Sequence, residues 1–144
     1  MYKTINFTIE ELVHPQILKD IGENNSWLRL DQNCLKDLQN IRDGWYGIHK
    51  SGIYINRINI GIDSRGLRPP DDEDGSFYSV HKQGKAFDLE PVNGKHQELY
   101  NFIYTLIQRG MLKSINTLED FNYTKTWVHI ASMNTNESPL IIKP

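Results

Sequence analysis

The sequence predicts an α+β domain, with a small, mostly antiparallel central sheet and helices packed on one side of it. Three observations carry this expectation: helical patterns lead the chain, short β-branched runs follow, and one long amphipathic helix interrupts those runs. The 144 residues suit a single domain spanning 1–144.

The elements read in order as follows. In Phe7-Thr8-Ile9-Glu10-Glu11-Leu12, Thr8 and Glu11 have the spacing of a capping box, so a helix starts there. Pro15 falls in its early turns, where proline is tolerated, and Gly22 with Asn24-Asn25 marks its end. A second helix is predicted from Asp31 to Asp43, with Leu35, Leu38 and Ile41 at helical spacing and Gly44 as the stop. Residues 52–62 alternate apolar and polar side chains and predict a strand. A long loop follows from Ser64 to about Phe77, with Pro69-Pro70 and the acidic run Asp71-Asp72-Glu73-Asp74. Long loops in compact domains are often functional. Residues 85–89 predict a short strand ending at Pro91, and Asn93-Gly94 a turn. Lys95 to Arg109 reads as an amphipathic helix with Leu99, Phe102, Ile103, Leu106 and Ile107 on one face, ended by Gly110. Residues 127–131 predict a strong strand and 140–142 a weaker one. There is no internal repeat or low-complexity tract.

Composition narrows the function classes. With 38% hydrophobic and 10% aromatic residues, the chain can bury a sizeable core without disulfides. Sixteen basic against 18 acidic residues give a net charge of −2, no reason to expect a nucleic-acid or membrane-surface partner. The lone Cys34 cannot form an internal disulfide and reads as a small buried apolar residue. No signal peptide and no apolar run of membrane-spanning length are visible, so the chain is expected to be made and folded in the cytoplasm, as a monomer.

Of five histidines, His81 and His129 stand out. His81 precedes Asp88 by seven residues, with Gly84 allowing the chain to bend between them. His129 lies between Val128 and Ile130 in a predicted strand; if those two face the core, His129 faces the opposite side, where a cleft can lie. Two histidines and one carboxylate are a catalytic zinc set that leaves a fourth position for water. Zinc lowers the pKa of that water and polarises a carbonyl. Spacing alone is also met by chance, and a strand histidine is more often a half-buried polar residue.

Ser79-x-His81-x-x-Gly84-x-Ala86-x-Asp88-Leu89 resembles the S-x-H-x-x-G-x-A-x-D-[IL] signature of the zinc D-Ala-D-Ala carboxypeptidases, relatives of phage L-alanyl-D-glutamate endolysins and the hedgehog signalling domain. Upstream, Asp63-Ser64-Arg65-Gly66-Leu67-Arg68-Pro69 resembles that family's S-G-x-R-x-P loop, and Trp127-Val128-His129-Ile130 its last ligand strand. The opening Phe7 to Leu12 is similar to the start of the smaller, phage-associated branch. The resemblance covers nearly the whole chain and implies a hedgehog- or D-Ala-D-Ala-peptidase-like fold. It implies zinc held by His81, Asp88 and His129, and a hydrolase that cuts cell-wall peptide next to a D-amino acid. Zinc-bound water would attack the carbonyl. Arg68 matches the arginine that faces substrate, where a guanidinium can bind a carboxylate or an oxyanion; it can equally pair with the acidic loop run. The Ser79 hydroxyl would support the site or be a plain loop serine.

The family pattern breaks at the general base. Thr126 stands where many members carry a glutamate three residues before the last histidine, and Ala131 where others carry an acid two residues after it. Glu119, Asp120 and Glu90 are the candidates to replace it, the first two by folding back through residues 122–125, the third by sharing a strand face with Asp88. Phe77, Tyr78, Tyr123 and Trp127 could line a substrate groove, although core packing is the commoner use of aromatics. Two readings follow: a zinc peptidase of phage or prophage origin, released to act on peptidoglycan, or an inert binding or structural domain that keeps the fold.

Overall fold

The computed structural model describes residues 1–72 and 79–143. Helices α1 (Ile9–Leu12), α2 (Pro15–Arg29) and α3 (Gln32–His49) come first. Strands β1 (Ile53–Tyr54) and β2 (Ala86–Pro91) follow, then helix α4 (His96–Gln108) and strands β3 (Thr117–Glu119), β4 (Val128–Ala131) and β5 (Leu140–Ile142). The five strands form one sheet in the order β1-β2-β4-β3-β5. All neighbours are antiparallel except β3 and β5, which run parallel. This is the expected α+β architecture, with a mixed rather than purely antiparallel sheet.

The N-terminal helix differs from its sequence expectation. The Glu11 half of the capping box forms, with the Thr8 N–H donating to Glu11 Oε2 at 2.8 Å. The helix then breaks at Val13 and His14, and Pro15 opens α2 as its first residue. Proline fits there because its missing N–H has no helical partner at that position. His14 caps α2 by accepting the Gln16 N–H at 3.1 Å. At Gly22 the backbone leaves the helical region, with φ 81° and ψ 175°, so the first helical run ends there as read, and a second run continues past Asn24-Asn25 to Arg29.

Gly44 likewise does not stop α3, which runs on to His49 and is closed by Lys50 in the left-handed region at φ 51°. Packing outweighs the roughly 1 kcal/mol helix cost of a glycine. Trp45, just past Gly44, is fully buried, stacks on His49 at 3.7 Å and meets Phe102 of α4 at 6.0 Å. The strand predicted for 52–62 is only β1; Arg57 and Ile62 bridge around a 3-10 turn, Ile58–Ile60, closed by Gly61. Its alternating Ile58 and Ile60 are exposed, so that pattern did not mark a core face.

The core lies between the helices and one sheet face. Phe87 and Leu89 of β2, Val128 and Ile130 of β4 and Leu118 of β3 are all fully buried with Leu35, Leu38 and Ile41 of α3 and Leu99 and Ile103 of α4. Each such side chain contributes about 1.5–3 kcal/mol of burial. Cys34 joins this core, and burial, with the nearby Asp31 charge, pushes its thiol up to about 12, so it is not a nucleophile. No helix among the described residues is long and apolar enough to cross a membrane.

Candidate metal centre

Strand pairing builds the centre. Alternation puts Phe87, Leu89, Val128 and Ile130 in the core and turns Asp88 and His129 to the other face. The β2–β4 register then sets Asp88 directly opposite His129. His81 arrives from the turn at 80–84, which hydrogen-bonds to itself through Gly84 N–H to His81 O at 3.2 Å and Lys85 N–H to Val80 O at 3.0 Å. Gly84 has φ +70°, and a side chain there would strike the Arg29 carbonyl, so the turn needs glycine.

The three side chains are buried, and their ligand atoms all lie within 4.8 Å of one another. His129 Nδ1 is 2.8 Å and His81 Nε2 3.4 Å from Asp88 Oδ1. Donors around one tetrahedral zinc, each about 2.0–2.2 Å from it, stand roughly 3.4 Å apart, a spacing that His81 and Asp88 match and that His129 would approach. The His81 ring is oriented from behind: its Nδ1 donates to the Gly66 carbonyl at 3.0 Å, so Nε2 is the nitrogen that faces Asp88 and, once deprotonated, would serve a metal. Burial alone would raise the Asp88 carboxyl. Hydrogen bonds from His129 and His81, together with their charge, outweigh it and hold Asp88 well below the usual carboxylate range. Asp88 is therefore an anion at neutral pH. Two imidazoles, one carboxylate and a fixed tautomer suit a divalent ion, zinc among them.

Gly66 was not a sequence candidate. It is buried where a Cβ would run into the Leu12 carbonyl, next to the Leu67 N–H to Leu12 O hydrogen bond of 2.8 Å. A Gly66→Ala change must push this loop away and carry the carbonyl off His81. We expect it to weaken affinity for a divalent metal about ten- to a hundredfold. Competition with a zinc indicator dye measures this; wild-type affinity in a folded variant would contradict it.

Beside the ligands is a cleft of about 290 Å³, lined in part by Asp88, Arg68, Arg65 and Trp127. Arg68 Nε donates to the Ser64 carbonyl at 2.6 Å, and its Nη2 stands 3.5 Å from Asp88 Oδ2, so this arginine reaches the ligand group. The three carboxylates proposed as base are placed differently. Glu90 shares the Asp88 face, as read from the sequence, but is held by Arg65 Nη1 at 2.7 Å. Asp120 is turned into its own loop, accepting the Asn122 N–H at 2.9 Å, and its charge is felt at Tyr100 of α4, whose hydroxyl burial and Asp120 together push up. Glu119 ends β3, one residue past the last β3–β4 pair, Leu118↔Ile130; strand alternation from the buried Leu118 turns it toward the sheet face that carries His129. It is half-buried, and its side chain makes no hydrogen bond or ion pair among the described residues.

Thr126 is exposed and Ala131 buried. Among the described residues the Ser79 hydroxyl makes no hydrogen bond; its carbonyl accepts the Lys82 N–H at 3.0 Å. Trp127 lines the cleft and Tyr123 is exposed, while Phe77, Tyr78 and the acidic positions Glu73 and Asp74 lie outside the described residues. The remaining histidines are used elsewhere: His14 pairs with Asp63 at 3.4 Å, His49 stacks on Trp45, and His96 Nδ1 contacts the Gly94 carbonyl at 2.9 Å. Comparison of the chain with protein-family models, curated proteins and solved structures found no match.

Proposed function

We propose that the protein is a zinc-dependent peptidase that cuts bacterial cell-wall peptide beside a D-amino acid, as a carboxypeptidase or endolysin does. One observation carries the reading: the buried His81–Asp88–His129 group stands at a cleft that also holds Arg68. His81, Asp88 and His129 would hold the ion, which when bound supplies a Lewis acid for the peptide carbonyl and an acidified water.

The chain's own groups do the rest. Arg68, anchored by Ser64 and facing Asp88, places its guanidinium where a substrate carboxylate or a developing oxyanion gains charge-assisted hydrogen bonds. Trp127 on the cleft wall offers an apolar face to the peptide. Glu119, on the sheet face of His129 by strand alternation, is the carboxylate we assign to proton transfer: its Oε atoms take the proton of the attacking water and deliver it to the leaving amine. Glu90 is committed to Arg65 and Asp120 to its own turn, so both rank behind it. On this reading the chain is made in the cytoplasm and acts on the wall after release, as phage lysins do.

Release of amines from purified peptidoglycan tests the reading. Zinc-loaded protein is expected to be active. Glu119→Gln should lower the rate about a hundredfold or more while zinc content stays unchanged. A Glu119→Gln variant with full rate would remove Glu119 from the mechanism.

A second reading, an inert binding domain on the same scaffold, is favoured by one feature. Thr126 and Ala131 cannot ionise, and no other carboxylate among the described residues joins the ligand group. Zinc-loaded protein as inactive as His81→Ala on peptidoglycans of several chemotypes would select it.

A further inference from the structure

Two arginines three positions apart enter the same cleft, and they are held in different ways. Arg68 is directed at Asp88. Arg65 binds β2 through its main chain, its carbonyl accepting the Asp88 N–H at 2.8 Å, and sends its side chain to Glu90, two residues further along the strand. Two strand residues advance about 7 Å. The Arg65 guanidinium is thus offset from the ligand group by about the length of one to two residues of an extended peptide.

A guanidinium carries five N–H donors. One of those on Arg65 meets Glu90 Oε2 at 2.7 Å. The others have no partner among the described residues, and no Arg65 nitrogen is among the buried polar atoms left unbonded. They therefore open toward the cleft that Arg65 lines. The pair is well shielded, at 19% and 25% side-chain exposure, so Glu90 fixes the guanidinium before any ligand arrives. A fixed, planar, permanently charged fork with free donors matches a carboxylate.

We infer that Arg65, oriented by Glu90, is a second anion-binding group of the cleft, which selects peptides bearing a carboxylate one or two residues from the bond to be cut. Arg65 is the specificity-determining residue and Glu90 its positioning residue. The carboxylate belongs to an acidic side chain or to a free C-terminus; both present the same two oxygens. The inference rests on the peptidase reading for what lies in the cleft, but its test reads binding.

The test is calorimetric titration of zinc-loaded protein with one D-amino-acid-containing acidic tetrapeptide in three forms: free acid, C-terminal amide and side-chain amide. In the wild type, one amidation should weaken binding about tenfold or more, as for loss of one charge-assisted contact, and that form identifies the carboxylate. Arg65→Gln should weaken the free acid by the same factor and abolish discrimination between it and that amide. Glu90→Gln should show a smaller loss on the same pair of peptides alone. Arg65→Lys keeps the charge and should keep part of the discrimination; it decides the matter if the glutamine variant does not fold. A folded Arg65→Gln with wild-type ratios among the three peptides would overturn the inference and leave the ion pair a tie between loop and strand. Wild type that binds none of them would overturn it too. Discrimination without cleavage would instead sink the peptidase reading and leave Arg65 in its role.

Discussion

His129→Ala is expected to abolish both hydrolysis and the stabilisation that zinc gives the wild type. A ligand that binds only the folded state stabilises it by RT ln(1 + [L]/Kd), about 4 kcal/mol at a thousandfold excess over Kd. For a chain of this size that is roughly 10 °C in melting temperature. Chelation should lower the wild-type melting temperature by this order, and the variant should not respond. His129 Nδ1 faces Asp88 Oδ1 at 2.8 Å from the neighbouring strand, and the remaining pair, His81 and Asp88, is too few donors for a tight site. A variant whose melting still shifts with zinc and chelator like the wild type would take His129 out of the ligand set.

Asp37→Asn should destabilise the fold by about 3 kcal/mol or more, as expected when a buried charged hydrogen-bond network is broken. Asp37 is fully buried on α3, and its two oxygens accept the N–H groups of Lys113, Ser114 and Ile115 at 2.7, 2.7 and 2.8 Å. These residues lead directly into β3, so the carboxylate ties the helix layer to the strand that carries Glu119. Asparagine keeps one acceptor and turns an NH2 toward N–H donors, which leaves them unsatisfied in a dry site. Urea titration should move the midpoint by about 1–2 M. A loss below about 1 kcal/mol would show that water or a rearranged loop replaces the carboxylate.

These two residues mark how far the sequence could be read. His129 was legible because a strand period of two turns it away from Val128 and Ile130, whatever the fold around it. Asp88 and His81 were legible as a short local motif. Asp37 looked like any polar position on a helix, because its three donors lie more than seventy residues away in the chain. The Arg65–Glu90 pair was hidden for the same reason: it depends on which loop lies over β2, and no local pattern encodes that. Strand β3 was missed because three residues, Thr117 to Glu119, are too few to display a period. The departures at Pro15 and Gly44 have different causes: Pro15 opens a new helix because a proline suits the first helical position, whereas α3 runs past Gly44 because Trp45 beyond it is buried.

Zinc content is the most direct test of the account. Protein purified without chelator should carry about one zinc ion per chain by elemental analysis, with His81→Ala and Asp88→Ala carrying almost none. Folded wild-type protein that holds no zinc, and takes up none from a buffered excess, would contradict the assignment of His81, Asp88 and His129 as its ligands.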